Sequence, residues 1–324
     1  MRILITGGAG FLGANLAAFL AGRHKDYHIS VLDITGPGEA AENIGKAVFE
    51  SPGFSYWQGD VRDENLSRNL VRNADVVLHL AAKTGVEESM DEPQSFFETN
   101  INGTFSIISA ARAYPPAKFI HLSASNVYGA SHTQPVTEDH PVLPREPYGG
   151  SKAGADSLVF CFTRAYRLPC LIIRPFNIYG PRQRPGSLVP QLITAAIDER
   201  PLNVPGDGAA SGDWMFVEDF CRAADKIIHA DFDHLAGEII NLGTGRGKSL
   251  NEIAGAILGL LGKNESLIRF TENMDAHPRH MIASAAKSEL LTGWKPSDEL
   301  ARGLEITVNW YLENQDWWRK RKKR

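Results

Sequence analysis

Residues 1–33 read MRILITGGAGFLGANLAAFLAGRHKDYHISVLD, and this stretch decides the fold. Ile3 to Ile5 is an apolar run with the length of a buried strand. It meets Gly7, Gly8, Gly10 and Gly13 at once, and a helical pattern follows through Asn15, Leu16, Phe19 and Leu20. A second apolar run ends on Asp33, twenty residues after Gly13. Strand, glycine turn, helix, strand and acid make one βαβ unit of the dinucleotide-binding kind. The glycines bring backbone N–H groups close to a ligand. The helix points the positive end of its dipole at a diphosphate. A carboxylate at Asp33 accepts hydrogen bonds from both ribose hydroxyls of an adenosine and repels a 2′-phosphate, which predicts NAD rather than NADP. The spacing is G-x-x-G-x-x-G rather than G-x-G-x-x-G. A Gly-rich turn in an unrelated α/β protein is the competing explanation. A P-loop is excluded, because no Lys-Ser or Lys-Thr follows the glycines.

The remaining composition narrows the class. A chain of 324 residues has room for one large or two modest domains, and its net charge of −4 gives no reason to expect nucleic acid as a partner. Cys161, Cys170 and Cys221 lack metal-ligand spacing and cannot all pair. They read as reduced, mostly buried thiols of a cytoplasmic protein, and no metal is expected. The glycines interrupt the N-terminal apolar run too early for a signal peptide, and no run approaches the roughly 20 apolar residues of a membrane span. The tail Trp317-Trp318-Arg319-Lys320-Arg321-Lys322-Lys323-Arg324 is the one charge outlier. It reads as a solvated end, with anionic-surface binding as the alternative.

Beyond Asp33 the pattern predicts a polar connection, a strand at 54–58, a short helix at 63–73 and a continuous apolar strand at 75–80 closing on Ala81-Ala82. Small residues there leave space for a flat cofactor at the sheet's carboxyl edge. A long helix is expected over 93–113, opened by Pro93, then a strand at 119–123, a loop at 132–147 and a helix from Tyr148 to about Arg167. Strands alternating with helices at this spacing mean a doubly wound parallel sheet. Tyr148 and Lys152, four apart, share one helix face. An ammonium beside a phenol favours phenolate and supplies a base near neutral pH, as hydride chemistry at an alcohol requires. Alone, Y-x-x-x-K is usually a surface pair; behind a dinucleotide-binding half it becomes the leading catalytic candidate. After Leu171 to Arg174, another buried strand, the alternation loosens, and this irregular half is expected over the sheet's carboxyl edge.

With these pieces assembled, the chain resembles the extended short-chain dehydrogenase/reductases, specifically the NAD-dependent nucleotide-sugar epimerase/dehydratase family. The likeness rests on TGGAGFLG at 6–13, Gly59-Asp60-Val61, His79-Leu-Ala-Ala82, Asn100-Ile-Asn-Gly-Thr104, Val127-Tyr-Gly129, Tyr148-Gly-Gly-Ser-Lys152, Arg174-Pro-Phe-Asn-Ile-Tyr-Gly180, Val217-Glu-Asp219 and Asn241-Leu-Gly-Thr-Gly245. It implies a Rossmann domain over 1–175 with returns near 213–245, and a smaller, mostly helical substrate domain over 176–324. It implies that Gly7, Gly10, Phe11, Leu12 and Gly13 hold the NAD diphosphate and Asp33 the ribose. Asp60 and Val61 would border the adenine. Leu80, Ala81, Ala82, Asn100, Ser123 and Pro175 would line the cofactor cleft. Tyr148 would be the base, with Lys152 tuning it and binding the nicotinamide ribose. Thr84, Asn126, Asn177, Leu188, Val189 and Arg279 would meet the nucleotide sugar. Asn100 could instead tie helix to strand, Asn177 serve a turn, and Asp60 cap a helix. The family also implies a homodimer through the helices at 93–113 and 148–166, to which Phe96, Ile107, Phe160 and Phe162 would offer apolar surface.

The departures are informative. Relatives place Ser or Thr where Ala124 stands, and 4,6-dehydratases follow it with an acid pair, here Ser125 and Asn126. That counts against a 4,6-dehydratase. Ser125 is the nearest hydroxyl to replace the missing one, provided the backbone turns there. Uronate-handling relatives often carry Arg at the position of Glu87. The family arginine that meets the nucleotide phosphates is Gly212 here, with Arg279, Arg182 and Arg184 as substitutes. The expected function is an NAD-dependent nucleotide-sugar epimerase. The rivals are a sugar-nucleotide reductase or variant dehydratase, and a binding protein that keeps NAD without chemistry.

Overall fold

The computed structural model describes residues 1–130, 133–272, 280–297 and 300–322. Its centre is a seven-stranded sheet. The strands are β1 (Arg2–Thr6), β2 (His28–Asp33), β3 (Phe54–Gln58), β4 (Val76–His79), β5 (Lys118–Leu122), β6 (Cys170–Pro175) and β7 (Ile239–Leu242). They lie in the order β7-β6-β5-β4-β1-β2-β3, and every pairing is parallel. The order reverses between β1 and β4, so the connections leave on opposite faces and open a crevice at the carboxyl ends.

Helices cover both faces, which is why the strands read as continuous apolar runs. Within β1, Ile3 and Ile5 join one core with Leu16, Leu20, Val31 and Ile227, whereas Leu4 joins the opposite core with Val77, Ile107, Phe119 and Val159. This is the two-residue alternation of a strand buried on both sides. A third core lies outside the sheet, built from Leu192, Ile193, Val204, Ile253, Ile257, Leu304, Val308 and Trp318. Phe11 and Leu12, directly after the glycine turn, pack against it. The turn is therefore the seam where the two halves meet.

Four helices position the site: α1 (Phe11–Arg23), α2 (Gly103–Ala113), α3 (Pro147–Tyr166) and α4 (Val217–His229). Three stretches differ from the sequence expectation. The connection after Asp33 is no simple loop. Pro37–Ile44 is a helix, started by a proline in its first turn and held down by buried Ala40 and Ile44. The long helix expected over 93–113 is Pro93–Phe97, a π turn at Glu98–Asn102, and then α2. Finally, the basic tail is the helix Gln315–Lys322, with Trp318 completely buried. Among the described residues no helix is long and apolar enough to cross a membrane. Cys170 and Cys221 are buried and Cys161 is exposed, all as free thiols.

Candidate active site

A cleft of about 1630 Å³ runs along the carboxyl edge of the sheet. One end is the glycine turn, where Gly7, Gly10, Phe11, Leu12 and Gly13 face the cleft. Gly7 has φ +70°, and a Cβ on it would lie 2.7 Å from the Ala81 backbone nitrogen. A Cβ on Gly13 would lie 2.3 Å from the Gly7 carbonyl oxygen. Side chains at either position would push the turn away from β4 or from α1. Gly10 caps α1 without any side-chain hydrogen bond. The first N–H groups of that helix are thus free for an anion, which fits a dinucleotide's diphosphate.

Asp33 closes β2 beside the turn. Its Oδ2 accepts from the Ala9 N–H at 2.9 Å, and its Oδ1 accepts from the Thr35 N–H and hydroxyl at 3.0 and 2.8 Å. The carboxylate is thereby fixed with lone pairs left toward the cleft. Asp60 is not a helix cap; Asp63 caps Glu64–Val71. Asp60 instead binds Arg62 at 2.7 Å, which holds its carboxyl below the ordinary value, and both line the cleft next to Val61. Leu80, Ala81, Ala82, Thr84, Ser123 and Pro175 complete this wall.

Asn100 corrects the expectation that it lines the cleft. It is 1% exposed and lies behind the wall. Its Oδ1 accepts from the Lys83 N–H at 2.7 Å, and its Nδ2 donates to the Lys83 carbonyl at 3.0 Å and the Ser151 hydroxyl at 2.8 Å. It clamps the loop after β4 to α3, and Thr99 faces the cleft in its place. The π turn carries both residues; such turns rotate one residue out of helical register, often at functional sites.

The reacting groups converge at the ends of β5 and α3. Ala124 is extended, with φ −157° and ψ 155°, and a 3₁₀ turn, Ser125–Tyr128, begins directly after it. The backbone therefore turns where Ser125 needs it to, and Ser125, Asn126, Tyr148 and Lys152 share the cleft. Lys152 is 4% exposed and its ammonium donates to the Leu122 carbonyl at 2.5 Å. Burial lowers its pKa from 10.5 to about 8, with Asp156 pulling the other way. Burial opposes ionisation of Asp156 as well, but the His121 ring and Arg174, at 3.5 and 3.0 Å, hold its pKa below the ordinary value.

The phenol does not follow the sequence argument. Burial raises Tyr148 above its ordinary 10.0, and the Glu146 carboxylate adds to the rise. Desolvation outweighs any help from Lys152, whose ammonium is committed to the Leu122 carbonyl. Glu146 is buried; its Oε2 accepts from the Gly149 N–H at 2.8 Å, capping α3, and its Oε1 accepts from the Asn126 amide at 3.0 Å. With its NH₂ so engaged, the planar amide of Asn126 is fixed beside the cleft.

On the substrate side, the Asn177 amide donates to the Asp213 carbonyl at 3.1 Å and faces the cleft. A Cβ on Gly212 would lie 2.8 Å from that amide nitrogen, so this chain has no room for the family arginine without moving Asn177. Of the substitutes, Arg184 pairs with Glu88 at 2.7 Å, and Arg279 lies outside the described residues. Arg182 reaches Asn15 of α1 at 3.3 Å, faces the cleft, and has its pKa lowered by burial. Leu188 and Val189 are corrected: both pack into the third core, Val189 at 1% exposure, while Ser187 and Gln191 face the cleft. Sequence reading also missed Asn43, Trp317 and Arg321 on the wall. The available signal was the tryptophan pair, which a solvated tail has no reason to carry. Elsewhere, His24, Asp225 and His229 meet between α1 and α4. His24 binds Asp225 at 2.8 Å, and His229 binds the Asp225 carbonyl at 2.7 Å and the Tyr27 hydroxyl at 2.6 Å, so their polar atoms stitch the two helices together.

A parallel sheet with an uncapped glycine turn, an acid closing β2, and Tyr and Lys one helical turn apart beside β5 defines a short-chain dehydrogenase/reductase-type enzyme. Residues 4–307 match the family model described as GDP-mannose 4,6 dehydratase. The low-salt glycan biosynthesis protein Agl12 of Haloferax volcanii is 35% identical over 98% of this chain and all of its own length. DesIV, a dTDP-glucose 4,6-dehydratase of Streptomyces venezuelae crystallised with NAD and TYD, superposes with a TM-score of 0.92 at 33% identity, covering 99% of this chain and 100% of its own. UDP-glucuronic acid 4-epimerase of Bacillus cereus, in complex with UDP-glucuronic acid and NAD, gives 0.90 at 30% identity, covering 97% and 99%. The chain belongs to the NAD-dependent nucleotide-sugar epimerase/dehydratase family of extended short-chain dehydrogenases, and its cofactor is NAD.

Proposed function

We propose that the protein is an NAD-dependent epimerase of a nucleotide sugar, with residues 176–324 supplying most of the substrate side. One observation carries this reading: the end of β5 presents a Ser125 hydroxyl and an Asn126 amide where dehydratases of the family carry an acid pair. β-Elimination of water needs an acid and a base beside the ring. A hydroxyl and a neutral amide can bind sugar oxygens but cannot exchange those protons. Removal and return of a hydride at one carbon needs only a single base, and Tyr148 supplies it.

NAD, when bound, would supply reversible hydride acceptance at a ring carbon, held by the glycine turn and Asp33, with the keto-sugar turning over between the two transfers. Tyr148 removes the hydroxyl proton and later gives it back. Burial raises its pKa, and the Lys152 ammonium, one turn away, would offset the developing phenolate as the proton moves. Ser125 donates to the same sugar oxygen in place of the absent Ser or Thr at Ala124. Asn177 and Arg182 receive the nucleotide's diphosphate.

Several relatives are dehydratases, which makes a variant dehydratase the second reading. Incubation with UDP- and dTDP-hexoses, followed by mass spectrometry and NMR of the sugar, separates them. Epimerisation gives a product of unchanged mass with no net NADH. A product lighter by one water refutes the epimerase. Tyr148→Phe should lower turnover by about two to four orders of magnitude with NAD still bound. No activity to lose, on any nucleotide sugar, identifies a binding protein.

A further inference from the structure

We propose that the helix Gln315–Lys322 is a retention device for the cofactor. Trp317 and Arg321 hold Asn43, Asn43 holds the glycine turn, and together they slow the departure of NAD.

The helix is anchored by Trp318, fully buried in the third core, whose indole N–H donates to the Tyr311 carbonyl at 2.9 Å. Trp317 and Arg321 are four residues apart and share the other face. The Arg321 guanidinium lies over the Trp317 ring, 4.3 Å from its centroid. Arg321 Nη1 donates to the Trp317 carbonyl at 3.2 Å, while the Trp317 indole and Arg321 Nη2 reach the cofactor half of the molecule. The Trp317 indole N–H donates to Asn43 Oδ1 at 3.0 Å, and Arg321 Nη2 donates to the same oxygen at 3.1 Å. Arg321 also meets Glu39 at 3.1 Å and Glu42 at 3.3 Å, with its side chain only 12% exposed.

Two donors on Asn43 Oδ1 fix which way its amide faces. Its Nδ2 then donates to the Ala9 carbonyl at 2.9 Å. Ala9 lies inside the glycine turn, and its N–H is already held by Asp33 at 2.9 Å. The residue is thus gripped from both sides, by the carboxylate expected on the ribose and by a relay from the C-terminal helix. The next residue, Gly10, opens α1 and its uncapped N–H groups. Freezing Ala9 pre-pays the ordering of the turn that a diphosphate would otherwise have to impose. This deepens the epimerase reading, in which NAD must outlast both hydride transfers.

The test is the rate at which bound NAD exchanges with labelled NAD in the full-length protein, without sugar. It therefore reports on this proposal even if the epimerase reading fails. Trp317→Phe keeps the ring and loses the N–H; Arg321→Gln and Asn43→Ala break the relay further along. Each should raise the off-rate about tenfold, the usual scale for one hydrogen bond involving a charged or oriented partner. The double variant Trp317→Phe/Asn43→Ala should exceed Asn43→Ala by less than twofold, because both cut one chain. Arg319→Gln breaks another of the helix's ties, to Asp198 at 2.7 Å, without touching Asn43, and should leave the off-rate unchanged. Three outcomes overturn the proposal. One is an off-rate within twofold of wild type in Asn43→Ala. Another is full additivity in the double variant. The third is an equal rise in Arg319→Gln, which would mean general loosening rather than a relay.

Discussion

Replacing Lys152 by methionine should separate what this side chain costs the fold from what it gives the reaction. Burial moves its pKa from 10.5 to about 8. The unfolded chain therefore keeps this proton up to the higher value, the native chain only up to the lower. Between them unfolding takes up a proton, so stability rises with pH. The penalty of burying the charge is full below about pH 8 and fades as the pH climbs to 10.5. At about 1.4 kcal/mol per pKa unit, it amounts to roughly 3 kcal/mol at neutral pH and roughly 1.5 kcal/mol near pH 9.5. Methionine removes the charge and with it this pH dependence. It also leaves the Leu122 carbonyl without its donor, costing about 1–2 kcal/mol at every pH. Urea unfolding of the NAD-free wild type and variant, at about pH 7 and about pH 9.5, measures the difference directly. Titrating groups that do not feel the Lys152 charge cancel in the comparison; His79 and His121, which do, have pKa values lowered below the ordinary 6.5. The wild type should gain about 1.5–2 kcal/mol on the variant across the interval, while the variant loses at least about two orders of magnitude in turnover. Parallel pH dependences would show that Lys152 is not desolvated as argued, and the account of how it serves Tyr148 would fall with them.

Ser125→Ala should slow turnover about ten- to a hundredfold, the loss of one hydrogen bond to a charge-developing oxygen, and Ala124→Ser in that background should restore part of it; an unchanged rate removes Ser125 from the mechanism. Asp33→Ala should weaken NAD binding and narrow its margin over NADP by about tenfold or more, read by titration; equal affinity for the two in wild type would contradict the role of the carboxylate. We expect a homodimer, but not through all the residues the sequence suggests. Phe96 and Ile107 are fully buried within the chain, whereas Phe97, Phe105, Phe160 and Tyr166 are 40–48% exposed on the adjoining helices. Phe105→Glu should shift sedimentation from dimer to monomer; a wild type that is monomeric at micromolar concentration would end this expectation.

The cofactor half was legible because its signals are local. Strand, glycine turn, helix and acid fall within 33 residues, and each constrains its neighbours. The Tyr148–Lys152 pair was legible for the same reason, being one turn of one helix. What sequence could not give was direction across long separations. Val189 and Gln191 sit in the same helical segment, and only packing against the third core decides which of them sees the cleft. Asn100 and Thr99 exchange places through a π turn that no periodicity announces. Asn43 and Trp317 touch across 274 residues of sequence, beyond the reach of any motif. The rise in the Tyr148 pKa was missed because charge is visible in a sequence and desolvation is not.

The sheet's last strand has a consequence for the chain while it is being made. β6 is apolar from Cys170 to Ile173 and buried along its whole length, and the strand that covers its outer edge, β7, begins at Ile239 and ends at Leu242. Until that segment emerges, the new sheet has an open, sticky border ready to pair with another copy. About 67 residues run from the end of β6 to the end of β7, so at 5–20 residues per second the border stands open for roughly 3–13 s. A gene truncated after Pro175 would make that interval permanent, and its product should be found in aggregates rather than as a free nucleotide-binding unit.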